Sequence, residues 1–295
     1  MAYQFNVQEA LADGVRRIVR EQVAQALAGL QQVKDRDKGI YEARKCSKRL
    51  RALLRFVRLS LGETRYQEEN AILRDFANAL APARDSFVVV QTLDKVLANV
   101  PVESEYEALR HTWLKQAKRL RNSTLDDSLL IQRLQDDLNA LQARLNLWRL
   151  QPANDFGLFA PNLRTTYKRG QSIYRQLTPD SQAPAFHEWR KAVKHLWYQT
   201  TLLQAFGGLE EQISLWDTLG DKLGTAHDYA VLEERLLALD PAPVLIAPLL
   251  EATRQARHTL EQSALVQGAA LYPQRALDYV RQVAYHFYLS RTLTP

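Results

Sequence analysis

Between Arg44 and Arg58 the chain carries seven cations, Arg44, Lys45, Lys48, Arg49, Arg51, Arg55 and Arg58, and no acidic residue. On a helix, positions 44, 48, 51, 55 and 58 step by four, three, four and three, which sets them in one stripe that Lys45 and Arg49 widen. Leu50, Leu53, Leu54, Val57 and Leu61 fall on the opposite face, the one expected to meet a core. Like charges in a row cost on the order of a few tenths of a kcal/mol per neighbouring pair, and no anion at i±4 within the stripe relieves them. A charge run is ordinarily a solvated surface. This one is free of acid and has a partner downstream: His187, Lys191, Lys194 and Tyr198 share a face, flanked by Arg190 and His195, while Trp189, Val193, Leu196 and Leu203 supply the apolar side. Arg offers forked donors that match phosphate oxygens, and Lys a point charge. Two such stripes facing each other would form a positive channel suited to a flexible, densely charged anion. DNA, RNA and inorganic polyphosphate all meet that description. Base readout calls for aromatic platforms among the cations. The first stripe has none and the tryptophans of the second helix are expected mostly toward the core, so a base-blind polyphosphate reader fits better.

The elements that must carry these stripes are helices. Glycine and proline number 11 each in 295 residues, which favours long helices over many short strands. Apolar residues recur at a helical period over about 4–30, 38–61, 66–80, 84–98, 103–122, 126–149, 162–177, 184–205, 209–223, 227–238, 244–265 and 273–289. Pro82 and Pro101 mark breaks, and Phe87 to Val90, though β-branched, lies inside a helical pattern. The stretch 151–161, with two prolines, a glycine and no period, reads as a linker between halves at 1–150 and 162–295 of a single domain spanning 1–295. The 39 Lys and Arg against 33 Asp and Glu leave a net charge of +6, whose excess is local rather than general. Cys46 stands alone, excluding a disulfide framework and a cysteine-based zinc site, and is expected to be a small packing residue. The longest apolar stretch, Leu236 to Leu250, is broken by Asp240, Pro241, Pro243 and Pro248, and Glu9 and Asp13 interrupt the N-terminal pattern. A soluble, cytoplasmic protein with no membrane partner is expected.

The halves look duplicated. At a shift of 146, Tyr41-Glu-Ala-Arg-Lys-Cys-Ser-Lys-Arg-Leu50 lies on His187-Glu-Trp-Arg-Lys-Ala-Val-Lys-His-Leu196. Near a shift of 143, Leu80-Ala-Pro-Ala-Arg-Asp85 lies over Leu223-Gly-Thr-Ala-His-Asp228, pairing Arg84 with His227, and Val88 lies over Val231. Arg16 and Arg20 find weaker counterparts in Arg164 and Lys168. The expected fold is therefore all-α: two helical bundles of about four main helices each plus extras, related by a pseudo-two-fold axis, with the basic helices meeting at a central channel.

With these blocks in view, and with Leu163-Arg-Thr-Thr-Tyr-Lys-Arg-Gly170 and Leu219-Gly-Asp-Lys-Leu-Gly-Thr-Ala-His-Asp228 beside them, the sequence resembles the CHAD family of histidine-containing α-helical domains over most of its length. The resemblance implies a pair of bundles with internal symmetry and a basic channel or groove for inorganic polyphosphate. It also implies association with polyphosphate granules and with enzymes of polyphosphate metabolism. Carried over by motif position, the binding candidates are Arg44, Lys45, Lys48, Arg49 and Arg55 in the first copy. In the second they are His187, Arg190, Lys191, Lys194 and His195, with Arg169 from the preceding helix. Arg84 and His227 occupy matching slots ahead of Asp85 and Asp228, aspartates better suited to orienting cations than to touching an anion. Arg16, Arg20, Arg51, Lys168 and Tyr198 complete the set from the charge pattern. One departure stands out: Tyr41 sits where the family usually places histidine, so pH-dependent binding should rest on the second half.

No enzymatic constellation competes. Glu103-Ser-Glu-Tyr-Glu107 ends in Glu where a triphosphate-tunnel signature needs Lys, and His187-Glu188 lacks the second histidine of a zincin. His187 and His195, two turns apart, are the one pair that could share a metal, but each reads more simply as a hydrogen-bonded helix residue. A non-catalytic polyphosphate-binding module without cofactor or metal is the expectation, with nucleic acid as a non-specific competitor. A nucleic-acid-binding helical protein is the alternative, and a metal-dependent phosphohydrolase a more distant one.

Overall fold

The computed structural model describes residues 3–101, 103–151, 154–239 and 246–293. All secondary structure among them is helical. Helix α1 spans Leu11–Leu30, α2 Arg36–Phe56, α3 Arg58–Leu61, α4 Glu63–Ala79, α5 Ala81–Leu97, α6 Ser104–Asp126 and α7 Ser128–Arg144. The second half holds α8 (Ala160–Gln176), α9 (Ala183–Leu202), α10 (Glu210–Leu237), α11 (Ile246–Leu271) and α12 (Ala276–Leu293). Among the described residues no helix is long and apolar enough to cross a membrane.

Local chemistry sets most of the ends. Asp35 and Asp127 cap α2 and α7 by accepting from the amides of Lys38 and Leu130, each at 3.0 Å. Pro82, Pro161 and Pro184 sit in first turns, where a missing N–H leaves nothing unpaired. Gly62, at φ 85°, turns the chain into α4 three residues before the expected start.

Four expectations give way to packing. The first helix begins at Leu11, not near Gln4, because the Phe5 amide donates to the Leu202 carbonyl at 2.9 Å and Tyr3 and Phe5 bury against the second half. The helix expected over 38–61 is interrupted at Val57, where the Asn162 side chain donates to the Phe56 carbonyl at 3.1 Å. The pattern at 126–149 stops at Arg144 and gives way to a short 3₁₀ turn, after which Trp148 is extended and buried. The two helices expected at 209–223 and 227–238 are one. Gly220, Gly224 and Thr225 continue inside α10, since its contacts with α9 and α11 outweigh the roughly 1 kcal/mol that a mid-helix glycine costs. The expected linker overlaps residues 152 and 153, which lie outside those described, as do 244 and 245 of the helix expected at 244–265. Its remainder is tied down: Phe156, Leu158 and Phe159 are core residues, and Phe159 stacks on Phe56 with centroids 4.4 Å apart.

α1 packs on α2, α2 on α4, and α7 against α1 and α4; in the second half α8 packs on α9, α9 on α10, and α12 on α8. One apolar core runs through both sets, from Phe5, Val15 and Leu53 to Trp189, Trp216 and Tyr279. A second core joins α5 and α6 to α10 and α11 through Leu93, Trp113, Leu232 and Leu249. Between the two cores α2 meets α9 and α5 meets α10. The polar site lies there.

Candidate functional site

Four helices wall a cavity of about 910 Å³. α2 contributes Tyr41, Arg44, Lys45, Lys48 and Arg49; α5 contributes Arg84, Asp85, Val88 and Val89. From α9 come His187, Arg190, Lys194, Trp197 and Tyr198, and from α10 Asp217, Gly220, Asp221, Gly224, Thr225, His227, Asp228 and Val231. Seven Lys or Arg side chains thus face four aspartates. The apolar backs of the two basic helices hold them in place: Leu50, Leu53, Leu54 and Val57 on one, Trp189, Val193 and Leu196 on the other, all buried as expected. Cys46 is buried among them, and burial pushes its thiol up to about 11, consistent with a packing role.

The cations are not equivalent. Arg44 donates to the Ala77 carbonyl and lies 3.5 Å from Asp85; Lys45 lies 3.6 Å from Glu42; Lys194 contacts Asp221 at 2.7 Å and Asp217 at 3.5 Å. Lys48, Arg49, Arg84 and Arg190 have no ion pair among the described residues. Burial first, and then the nearby charges of Arg190 and Arg44, push the Lys48 ammonium down to about 8. Such a group gains by meeting an anion, which would restore the solvation it has lost.

Two ring pairs line the cavity. His187 and His227 lie ring to ring with centroids 4.1 Å apart. Burial, followed by the charges of Lys191 and Arg190, lowers the pKa of His187. Burial, His187 and Arg190 bring His227 down to about 4. Both imidazoles are therefore neutral near pH 7. Between α2 and α5 the Arg84 guanidinium sits 4.9 Å from the centre of the Tyr41 ring and Lys45 sits 5.5 Å from it, so Tyr41 offers a flat face to both cations.

Gly220 makes room for the Lys194 side chain, and Gly224, one turn on, lies under Arg190. A Cβ on Gly220 would come within 2.7 Å of Lys194 Cε, and one on Gly224 within 3.5 Å of Arg190 Nε. Gly220, inside a helix, is the sequence signal for this close approach.

The remaining candidates lie elsewhere. α2 crosses α9, so only the first part of its stripe faces the cavity. Farther along, Arg51 donates to Asn70 on α4 at 3.0 Å, and Arg55 lies near Tyr66 and Arg169. His195 points to that side, where burial and the charges of Arg55, Arg51, Arg169 and Lys191 hold its pKa near 3. Arg169 and Lys191 are both paired with Glu188. Arg51, Arg55, Arg169 and His195 thus form a second basic cluster off the cavity wall, and Lys191, whose charge reaches both His195 and His187, lies between the two. Arg16 is engaged by Asp13 and the Trp148 carbonyl, and Arg20 and Lys168 are exposed away from it. The pairing of His187 with His195 is not realised, because His187 meets His227. Among the described residues, no three or more His, Cys, Asp or Glu side chains come together as a metal site.

Sequence reasoning missed Asp217, Asp221 and the two glycines, and it misplaced Trp197. Trp189 is core, but Trp197 lines the cavity with Lys194 4.3 Å from its ring centre and Tyr198 beside it at 4.6 Å.

A family model described as the CHAD domain matches residues 17–237. Two solved structures share the fold. The crystal structure of the CHAD domain from the plant Ricinus communis superposes with a TM-score of 0.67 at 18% identity, covering 97% of this chain and 95% of that one. PptA from Streptomyces chartreusis gives a TM-score of 0.59 at 15% identity, covering 95% and 100%. No curated protein matches the chain.

Proposed function

This chain belongs to the CHAD domain family, and from that premise we propose that it is a non-catalytic receptor for inorganic polyphosphate, bound in the cavity between α2, α5, α9 and α10. The observation that carries the reading is the convergence of seven Lys and Arg side chains from three helices on one cavity, four of them without an ion pair among the described residues. A flexible chain of phosphates can satisfy such a cluster by following it, and affinity should grow with chain length as further cations engage. Arg44, Lys48, Arg49, Arg84, Arg190 and, when protonated, His187 and His227 are the assigned contacts.

We also read the fold as a duplication with the cavity on its pseudo-two-fold axis. Its support is structural and local. Arg44, Lys48, Asp85 and Val88 recur as Arg190, Lys194, Asp228 and Val231, all lining the one cavity, and the Tyr41–Arg84 pair stands where the other half has His187–His227. On this reading the cavity is a basic channel shared by both halves. A cytoplasmic location, recruitment to polyphosphate granules and association with polyphosphate-metabolising enzymes belong to the same proposal.

The test is a titration with long-chain polyphosphate and with duplex DNA at the same salt, roughly 150 mM, with EDTA present. Tight, length-dependent binding of polyphosphate with weak DNA binding is the expected result. Equal binding of both would put the nucleic-acid reading first, and metal-dependent release of orthophosphate would make the protein a hydrolase.

A further inference from the structure

The cavity is not uniformly positive. At one end Lys194 is held by both Asp217 and Asp221 and lies over the Trp197 ring, with the Tyr198 ring beside it. Lys45, which also acts on Asp217, is itself paired with Glu42, so the lysines of this end are already committed to carboxylates. Toward the centre and the opposite end, Lys48, Arg84, Arg190 and the His187–His227 pair face the cavity with no ion pair among the described residues. An inorganic chain, charged alike along its length, has no use for an indole and two carboxylates. A ligand with a phosphate tail and a flat, uncharged head that bears N–H and O–H donors has use for all of them.

We infer that the same cavity takes nucleoside 5′-polyphosphates, with the phosphates on Lys48, Arg84 and Arg190 and the nucleoside against Trp197, Asp217 and Asp221. The indole offers a π-face to any base, and Lys194 is a flexible side chain that can move aside along its two carboxylates. Those carboxylates accept from ribose hydroxyls or an exocyclic amine, which gives them a role that polyphosphate does not. The inference rests on the reading of the cavity as a polyphosphate site and narrows it to a class with an organic head.

Calorimetry with EDTA present separates the two. The ligands are ATP, methyl triphosphate, which has the same charge and no base, and long-chain polyphosphate. ATP is expected to bind at least about fivefold more tightly than methyl triphosphate, the lower end of what base stacking on an aromatic contributes. Trp197→Ala should reduce ATP to the level of methyl triphosphate and leave polyphosphate within about twofold. Asp217→Asn, which leaves the rings in place, should lower the ATP preference in part and serves as a second variant if Trp197→Ala does not fold. Equal binding of ATP and methyl triphosphate overturns the inference while polyphosphate binding stands, and so does an ATP preference that survives both substitutions. Failure of long-chain polyphosphate to bind overturns the underlying reading itself.

Discussion

Salt dependence distinguishes the cations available to a polyanion from those already engaged. A polyanion bound by Z free cations loses affinity with salt at a slope near −0.7Z for a flexible single strand, because each contact releases condensed counterions. Lys48, Arg49, Arg84 and Arg190 are the four cavity cations without an ion pair among the described residues, which gives a log–log slope of roughly −3 and about a fiftyfold loss between 50 and 200 mM salt. Arg44, Lys45 and Lys194 must first release Asp85, Glu42 and the Asp217–Asp221 pair, so they add little to the slope. The assay is anisotropy of end-labelled polyphosphate at a series of KCl concentrations with EDTA present. Lys48→Gln or Arg190→Gln should flatten the slope by about 0.7 each, whereas Lys45→Gln should change it by much less. Arg51→Gln, in the second cluster and bonded to Asn70, should leave it unchanged. A slope that responds to Arg51→Gln as strongly as to Lys48→Gln would refute the division into cavity and outside cations, and the shared channel with it.

Acidification should move stability and binding in opposite directions. His227 and His195 titrate near 4 and 3 in the folded protein, below the ordinary histidine value. The unfolded chain therefore takes up protons first, and the free protein loses stability as pH falls from about 6.5 toward 4, by at most about 1.4 kcal/mol per pH unit per group and less where water screens it. Bound phosphates favour the charged His187 and His227, so affinity measured by titration calorimetry should rise across the same window; a flat profile would remove the histidines from the contact set. Tyr41→His should add affinity at pH 5.5 and none at pH 8, judged by the same titration. Gly268→Ala should lower the melting temperature, because a Cβ there would sit 2.6 Å from Tyr174 and 2.8 Å from Trp189, rings that cannot move aside as a lysine tail can, at a cost of roughly 1–3 kcal/mol.

Much of this architecture was legible in the chain. Proline in first turns, aspartate caps and the helical period place most helices within a few residues, because these signals act over one or two turns. The exceptions are settled by distant partners. Phe5 leaves the helical pattern to pair with Leu202, Asn162 helps end α2 at Phe56, and α10 runs through Gly224 because two neighbouring helices hold it. The site divides in the same way. Periodicity identifies the stripe from Arg44 to Arg58, but not the crossing of α2 over α9 that turns Arg51 and Arg55 away from Lys48. Trp197 reads as core by type, and only the geometry brings it to the cavity wall. Asp217 and Asp221 stand one turn apart on α10 with nothing in their spacing to say that Lys194, from α9, lies between them.

The stacking of Phe159 on Phe56, with Phe5 against it, bears on how the chain could be cut. The residues that follow the midpoint lock into the first half, and the segment ahead of α1 bonds through Phe5 to the end of α9. A protease nick just ahead of Asp155 would therefore yield two pieces that stay associated, and the pieces made separately should reconstitute one particle. Each fragment alone would expose the apolar faces that the other now covers, so neither should behave as a free-standing soluble unit.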